Sequence, residues 1–144
     1  MKRTATARYQ GLGKDGKGWI STQSGVLDDS PYGFATRFEN EPGTNPEELI
    51  AAAHAGCFTM ALSFALAKAG LNDGTLETAA AVTLEKDGDG FTVTRSDLTL
   101  KASVPGIEPE RFDAIAQEAK ANCPISKLLK AEITLDIQMA EASA

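Results

Sequence analysis

Residues 45–58 read Asn45-Pro46-Glu47-Glu48-Leu49-Ile50-Ala51-Ala52-Ala53-His54-Ala55-Gly56-Cys57-Phe58, and this stretch decides the fold. Asn45 is a helix-capping residue type. Pro46 suits the first helical position, where its missing N–H would have had no partner. Glu48, three residues after Asn45, can close a capping box, and both Glu47 and Glu48 favour the positive end of the helix dipole. Gly70 is the natural stop, so the expected helix covers 46–69 and is about 36 Å long. Apolar residues and alanines surround it almost completely, which predicts burial. His54, Thr59 and Ser63 interrupt the apolar run at 51–67. A core helix is therefore expected, not a membrane span of about 20 strongly apolar residues.

Before this helix, 4–10, 19–24 and 32–39 read as three strands, separated by a glycine-rich turn at 11–18 and a loop at 25–30. After it, 75–85 alternates as a strand, Asp87-Gly88-Asp89-Gly90 makes a hairpin turn, and 91–104 returns. Pro109 opens a helix to about Asn122, and Pro124 opens a short one to Lys130. The last strand covers 131–139, with Ile133, Leu135, Ile137 and Met139 on one face. The order βββ-α-ββ-αα-β, in blocks rather than in alternation, predicts an α+β fold.

The chain has 144 residues, 42% of them hydrophobic and 24% charged. One globular domain over 1–144 is expected, with no need of a disulfide or metal to staple it. A net charge of −6 and 6% aromatic residues argue against a nucleic-acid surface. The opening Met1-Lys2-Arg3-Thr4-Ala5 leads into Arg8-Tyr9-Gln10, not into an apolar segment. The expected location is therefore the cytoplasm, with no membrane partner. There, two cysteines are more often reactive or free than structurally bridged.

His54 and Cys57 lie three residues apart on one helix face. With Cys123 they could hold a metal, but no paired-ligand spacing exists and none is expected. His54 could instead serve as base to a Cys57 nucleophile, or be a satisfied core histidine. The cysteines themselves could be two small buried hydrophobes. Cys123 precedes Pro124 at a helix start, which favours its thiolate. Cys57 sits among Phe58, Met60 and Leu62, where burial disfavours its own. Local reasoning thus makes Cys123 the better nucleophile.

The 45–58 stretch resembles the OsmC/Ohr family of osmotically inducible and organic hydroperoxide resistance proteins. A second matching block is Ala119-Lys120-Ala121-Asn122-Cys123-Pro124-Ile125-Ser126-Lys127, and Arg37-Phe38-Glu39-Asn40-Glu41-Pro42-Gly43-Thr44 resembles the OsmC branch. The resemblance implies an OsmC-like fold in an intertwined homodimer, with active sites at the subunit interface. It implies a thiol peroxidase acting on organic hydroperoxides and more weakly on hydrogen peroxide, in defence against oxidative and osmotic stress. Cys57 matches the peroxidatic cysteine, Cys123 the resolving one, and Arg37 and Glu47 an arginine–glutamate pair beside the reactive thiol. The implied reductant is an external dithiol of lipoyl type, and no cofactor is implied. Gly56 stands where alanine is common in the family.

At a thiol pKa of about 8.5, about 3% of Cys57 would be thiolate at neutral pH. A drop of about two units would raise that about 25-fold, while nucleophilicity would fall about tenfold at a Brønsted slope near 0.5. The net gain is about two- to threefold. Arg37 must then act chiefly by positioning the peroxide and stabilising the departing alkoxide. In a straight helix Glu47 and Cys57 are about 15 Å apart along the axis and about 80° around it. Unless the helix breaks or an arginine spans the gap, Glu47 cannot reach Cys57 of its own chain, so Cys57 is expected to meet Glu47, with or without Arg37, from the partner subunit. Two other functions fit the same residues: a non-enzymatic module binding a small apolar ligand, and a redox sensor.

Overall fold

A computed structural model describes residues 1–140. The chain divides into two compact units, the first spanning Met1–Leu49 and the second beginning at Ile50.

In the first unit, β1 (Ala5–Gln10), β2 (Lys17–Thr22) and β3 (Ser30–Tyr32) form an antiparallel sheet in that order, followed by a short helix α1 (Phe34–Phe38). Arg8 lies opposite Trp19, its guanidinium 4.3 Å from the ring centroid. The strand expected over 32–39 is corrected here: it ends at Tyr32 and the following residues are helical. Phe34 and Phe38, four residues apart, share one face of a strand and of a helix alike. Two local interactions favour the helix. Thr36 Oγ1 accepts the Gly33 N–H at 2.7 Å and donates back to the Gly33 carbonyl at 3.0 Å. The Phe34 and Phe38 rings then meet at 5.1 Å, as residues four apart on a helix do. Gly43 has φ +147, and a side chain there would press its Cβ to 2.5 Å from the Pro31 carbonyl oxygen. The closeness lets Thr44 N–H bond that same carbonyl at 2.8 Å.

The long helix α2 (Pro46–Lys68) forms as expected. Asn45 Oδ1 accepts the Glu48 N–H at 2.8 Å, so the cap is real. The Glu48 carboxylate does not turn back to Asn45; it accepts from Thr44 Oγ1 at 2.9 Å.

In the second unit, β4 (Thr75–Asp87) and β5 (Gly90–Ser103) form a long hairpin, and β6 (Glu132–Met139) lies parallel to β5. A parallel return needs a crossover, supplied by α3 (Pro109–Asn122) and α4 (Pro124–Leu128). The core is a seam of helical and strand periodicities. Phe58, Leu62 and Leu66 come from α2 at every fourth residue, and Leu98, Leu100 and Ala102 from β5 at every second. Phe112, Ala116, Ala119 and Cys123 close it from the α3 side.

One expectation about α2 is corrected. Only His54, Phe58, Leu62 and Leu66 are buried. Met60 and Phe64, on the other side, are 61% and 69% exposed. A three-stranded sheet and one crossover cover one helix face, not both. By length and composition α2 could cross a membrane, but its buried stripe is committed to the core.

Candidate active site

Cys57 lies one residue before Phe58, at the edge of the buried stripe of α2, and is half-buried. Cys123 is fully buried at the junction of α3 and α4. Its N–H closes α3 on the Ala119 carbonyl at 2.9 Å, and its carbonyl opens α4 by accepting the Lys127 N–H at 3.1 Å. Pro124 forces Cys123 out of the helical region, and this break turns the chain between the two helices. The two sulfurs lie 2.7 Å apart, Cys123 Sγ donating to Cys57 Sγ. Both cysteines are free thiols.

Their environments differ. Burial pushes the Cys57 thiol up, and its hydrogen bond with Cys123 does the same; the Ile125 N–H offsets this only in part. Burial also opposes ionising Cys123. There its hydrogen bond with Cys57, the N–H groups of Ser126 and Ile125 and the Ser126 hydroxyl outweigh it, and the thiol is pushed below its usual range. The sulfurs titrate as a pair. The first proton lost leaves the charge on Cys123, with Cys57 donating to it.

His54 is fully buried, one turn before Cys57. Its Nδ1 lies 2.6 Å from Ser96 Oγ on β5 and its Nε2 2.8 Å from Ser126 Oγ on α4. Both ring nitrogens are engaged by hydroxyls, so His54 is not a base to Cys57. Burial pushes its pKa down and keeps the ring neutral. Among the described residues no group of three or more His, Cys, Asp or Glu side chains could hold a metal.

Arg37 and Glu47 belong to the first unit. Arg37 Nε donates to Glu47 Oε1 at 2.8 Å and a terminal nitrogen donates to Oε2 at 2.9 Å, a bidentate pair. Glu47 raises the Arg37 pKa above its ordinary value, so the guanidinium stays charged. A cavity of about 260 Å³ lies beside it, walled by Tyr9, Tyr32, Phe34 and Phe38. The candidate residues thus assemble as two pairs, one in each unit. Ser96 and Ser126 escaped the sequence reading. Ser126 carried a signal, three residues after Cys123 on a helix. Ser96 shares the inward strand face of Leu98 and Leu100.

The OsmC family model, described as OsmC-like protein, matches residues 38–138. The chain belongs to this family. It is 56% identical over 139 residues, 96% of this chain and 97% of the other, to a protein of Escherichia coli named Peroxiredoxin OsmC. It is 30% identical to the organic hydroperoxide resistance protein OhrA of Bacillus subtilis, covering 96% of each chain. The crystal structure of OhrB from B. subtilis superposes with a TM-score of 0.69 at 28% identity, over 97% of this chain and 98% of that one. The OsmC-like fold expected from the sequence is therefore the fold observed.

Proposed function

We propose that this OsmC-like protein is a two-cysteine peroxidase that reduces organic hydroperoxides to alcohols, with hydrogen peroxide a poorer substrate. The observation that carries this reading is the 2.7 Å contact between Cys57 and Cys123, with the names of the OsmC and Ohr relatives in support. The half-buried Cys57 is the peroxidatic thiol and the fully buried Cys123 the resolving one, since a peroxide must reach the first sulfur and not the second.

In the first step Cys57 passes its proton to Cys123 and attacks the distal peroxide oxygen. The O–O bond breaks, Cys57 becomes a sulfenic acid, and the alkoxide leaves as the alcohol after taking a proton. In the second, Cys123 sulfur attacks Cys57 sulfur, and the sulfenic hydroxyl departs as water with the Cys123 proton. In the third, an external dithiol, of the lipoyl type the family resemblance implies, reduces the disulfide by exchange and is itself oxidised.

Arg37, held by Glu47, stabilises the departing alkoxide, and the aromatic cavity beside it takes the organic group. The pair acts on Cys57 of the partner subunit. The unbroken span of α2 and the exposed Met60 and Phe64 support a homodimer. The family match at 38–138 crosses the boundary at Leu49 and Ile50, which supports reading 1–144 as one domain. The working place is the cytoplasm.

Intact mass after one equivalent of an organic hydroperoxide, without reductant, tests the reading. A loss of about 2 Da per chain is the disulfide; an unchanged mass overturns the peroxidase. Sustained turnover with a dithiol separates enzyme from sensor. Sedimentation of Phe64→Asp beside the wild type tests the dimer, which is expected to dissociate in the variant.

A further inference from the structure

The peroxidase cycle leaves one buried side chain without a task. His54 is the only histidine in the chain and is fully buried. It continues the α2 stripe of Phe58, Leu62 and Leu66, where a leucine would fill the space with no polar group to satisfy. Its ring instead joins three elements. Nδ1 lies 2.6 Å from Ser96 Oγ on β5, and Nε2 lies 2.8 Å from Ser126 Oγ on α4. A neutral imidazole offers one donor and one acceptor, and a hydroxyl serves as either, so both bonds form in either tautomer. Their spacing matches that of the cysteines. His54 precedes Cys57 by three residues on α2, and Ser126 follows Cys123 by three. The His54–Ser126 bond and the 2.7 Å sulfur contact are therefore two rungs between the same two segments, one turn apart.

Apolar packing does little to secure α4. The helix has five residues, and Ser126 is the only one of them that is buried. Ile125 packs in part against the core, and Leu128 is exposed. The contacts that α4 makes through the Cys57 sulfur change at each step of the cycle, whereas the His54–Ser126 bond takes no part in the chemistry. We propose that His54, braced by Ser96, is a positioning residue that clamps α4 through Ser126 and so holds Cys123 against the Cys57 sulfenic acid. The inference rests on the peroxidase reading and deepens it. The sulfenic acid has two fates. In one, Cys123 sulfur attacks Cys57 sulfur, the S–O bond breaks, and the hydroxyl leaves as water with the Cys123 proton. In the other, the sulfenic sulfur attacks the distal oxygen of a second hydroperoxide, the O–O bond breaks, and the alcohol leaves with the sulfenic proton. Cys57 is then a sulfinic acid, which a dithiol does not reduce. The clamp favours the first fate.

Intact mass after a single exposure to cumene hydroperoxide, without reductant, reads the two fates: a loss of about 2 Da per chain against a gain of about 32 Da. The peroxide concentration at which the two products are equal measures Cys123 attack against overoxidation. It does not depend on how fast the sulfenic acid forms. Wild type is compared with His54→Leu, Ser126→Ala and the double variant, in which leucine and alanine leave the seam filled and apolar. That concentration is expected to fall about tenfold in each single variant, within the cost of up to about 100-fold for misplacing a reacting group by about 1 Å. Both substitutions remove the same rung, so the double variant is expected to fall about tenfold as well, not about 100-fold. The deficit is expected to persist at about pH 10, where the Cys123 thiol is ionised in every variant. An effect on thiol acidity would vanish there.

A wild-type partition in either single variant, losses that multiply in the double variant, or a deficit that vanishes at about pH 10 would each overturn the proposal. If peroxide changes no mass in the wild type, the peroxidase reading fails, and the clamp is then read with dithiobis-nitrobenzoate. Cys57 displaces one thionitrobenzoate to form a mixed disulfide, and Cys123 displaces the second. The second release is expected to slow about tenfold in both single variants, and a release as fast as in the wild type overturns the clamp.

Discussion

Replacing Arg37 by methionine separates two ways in which a cation helps a thiol peroxidase. Two of the guanidinium N–H donors are taken by Glu47, at 2.8 and 2.9 Å. The remaining ones are free to meet a departing alkoxide. If Arg37 worked only by ionising Cys57, its loss would cost about two- to threefold, because the gain in thiolate is offset by weaker nucleophilicity. If it stabilises charge developing on oxygen, removal should cost about 100-fold or more, the scale of losing one well-placed donor at a transition-state oxyanion. Two assays on the same protein tell these apart. kcat/KM for an aryl hydroperoxide, with a dithiol as reductant, reads thiolate and alkoxide stabilisation together. The rate of alkylation of Cys57 by iodoacetamide, in a Cys123→Ser background, reads thiolate alone. In Arg37→Met the first is expected to fall about 100-fold and the second no more than about threefold. A fall of equal size in both would refute the reasoning and make Arg37 a thiolate-forming residue.

Glu47→Gln removes the charge that holds the guanidinium, so kcat/KM is expected to fall about tenfold, as for loss of a charge-assisted hydrogen bond, with alkylation little changed. Leu62 is fully buried, and Leu62→Ala should lower the unfolding free energy by about 2–5 kcal/mol in urea titrations. Burial holds the pKa of His54 below the ordinary imidazole value of about 6.5. Its folded pKa is depressed, so its contribution to stability is present above about 6.5 and is lost as pH falls toward the folded value. Urea midpoints should therefore drop between pH 7 and pH 5, while the imidazole NMR signal of the folded protein does not titrate near 6.5.

The elements that could be read from the sequence are those set by local chemistry. Asn45 and Pro46 fix the start of α2, Pro109 that of α3, and the Asp87 to Gly90 turn closes the β4–β5 hairpin, because each signal lies within a few residues of what it controls. The third strand failed for the same reason in reverse. Phe34 and Phe38 fit both periods, and the Thr36–Gly33 hydrogen bonds chose the helix. The surroundings of the thiols were harder. His54 is 42 residues from Ser96 and 72 from Ser126, and no local pattern connects them. Register alone brings them together: His54 continues the Phe58, Leu62, Leu66 stripe and Ser96 the Leu98, Leu100, Ala102 face, so the seam ends in a polar pair. The two cysteines were found through residue type and spacing, but the greater acidity expected of Cys123 came from the Pro124 break, whereas the hydrogen bond with Cys57 lowers its pKa most, followed by the N–H groups of Ser126 and Ile125.

The burial expected of α2 went wrong in an informative way. A helix that is apolar all round has to be covered all round, and one chain covers only the face bearing His54, Phe58, Leu62 and Leu66. The sequence pattern thus demands more surface than one sheet and one crossover provide. In the proposed homodimer a second copy of the same chain would supply that surface on the face carrying Met60 and Phe64. Cys57 lies between the two faces, beside Phe58 of the buried stripe and half-buried itself. A reactive thiol placed there is anchored from behind by its own core and open in front to whatever the other copy presents. On the proposed dimer, the excess apolarity of α2 and the delivery of Arg37 and Glu47 by a partner would have the same cause: a helix shared between two chains.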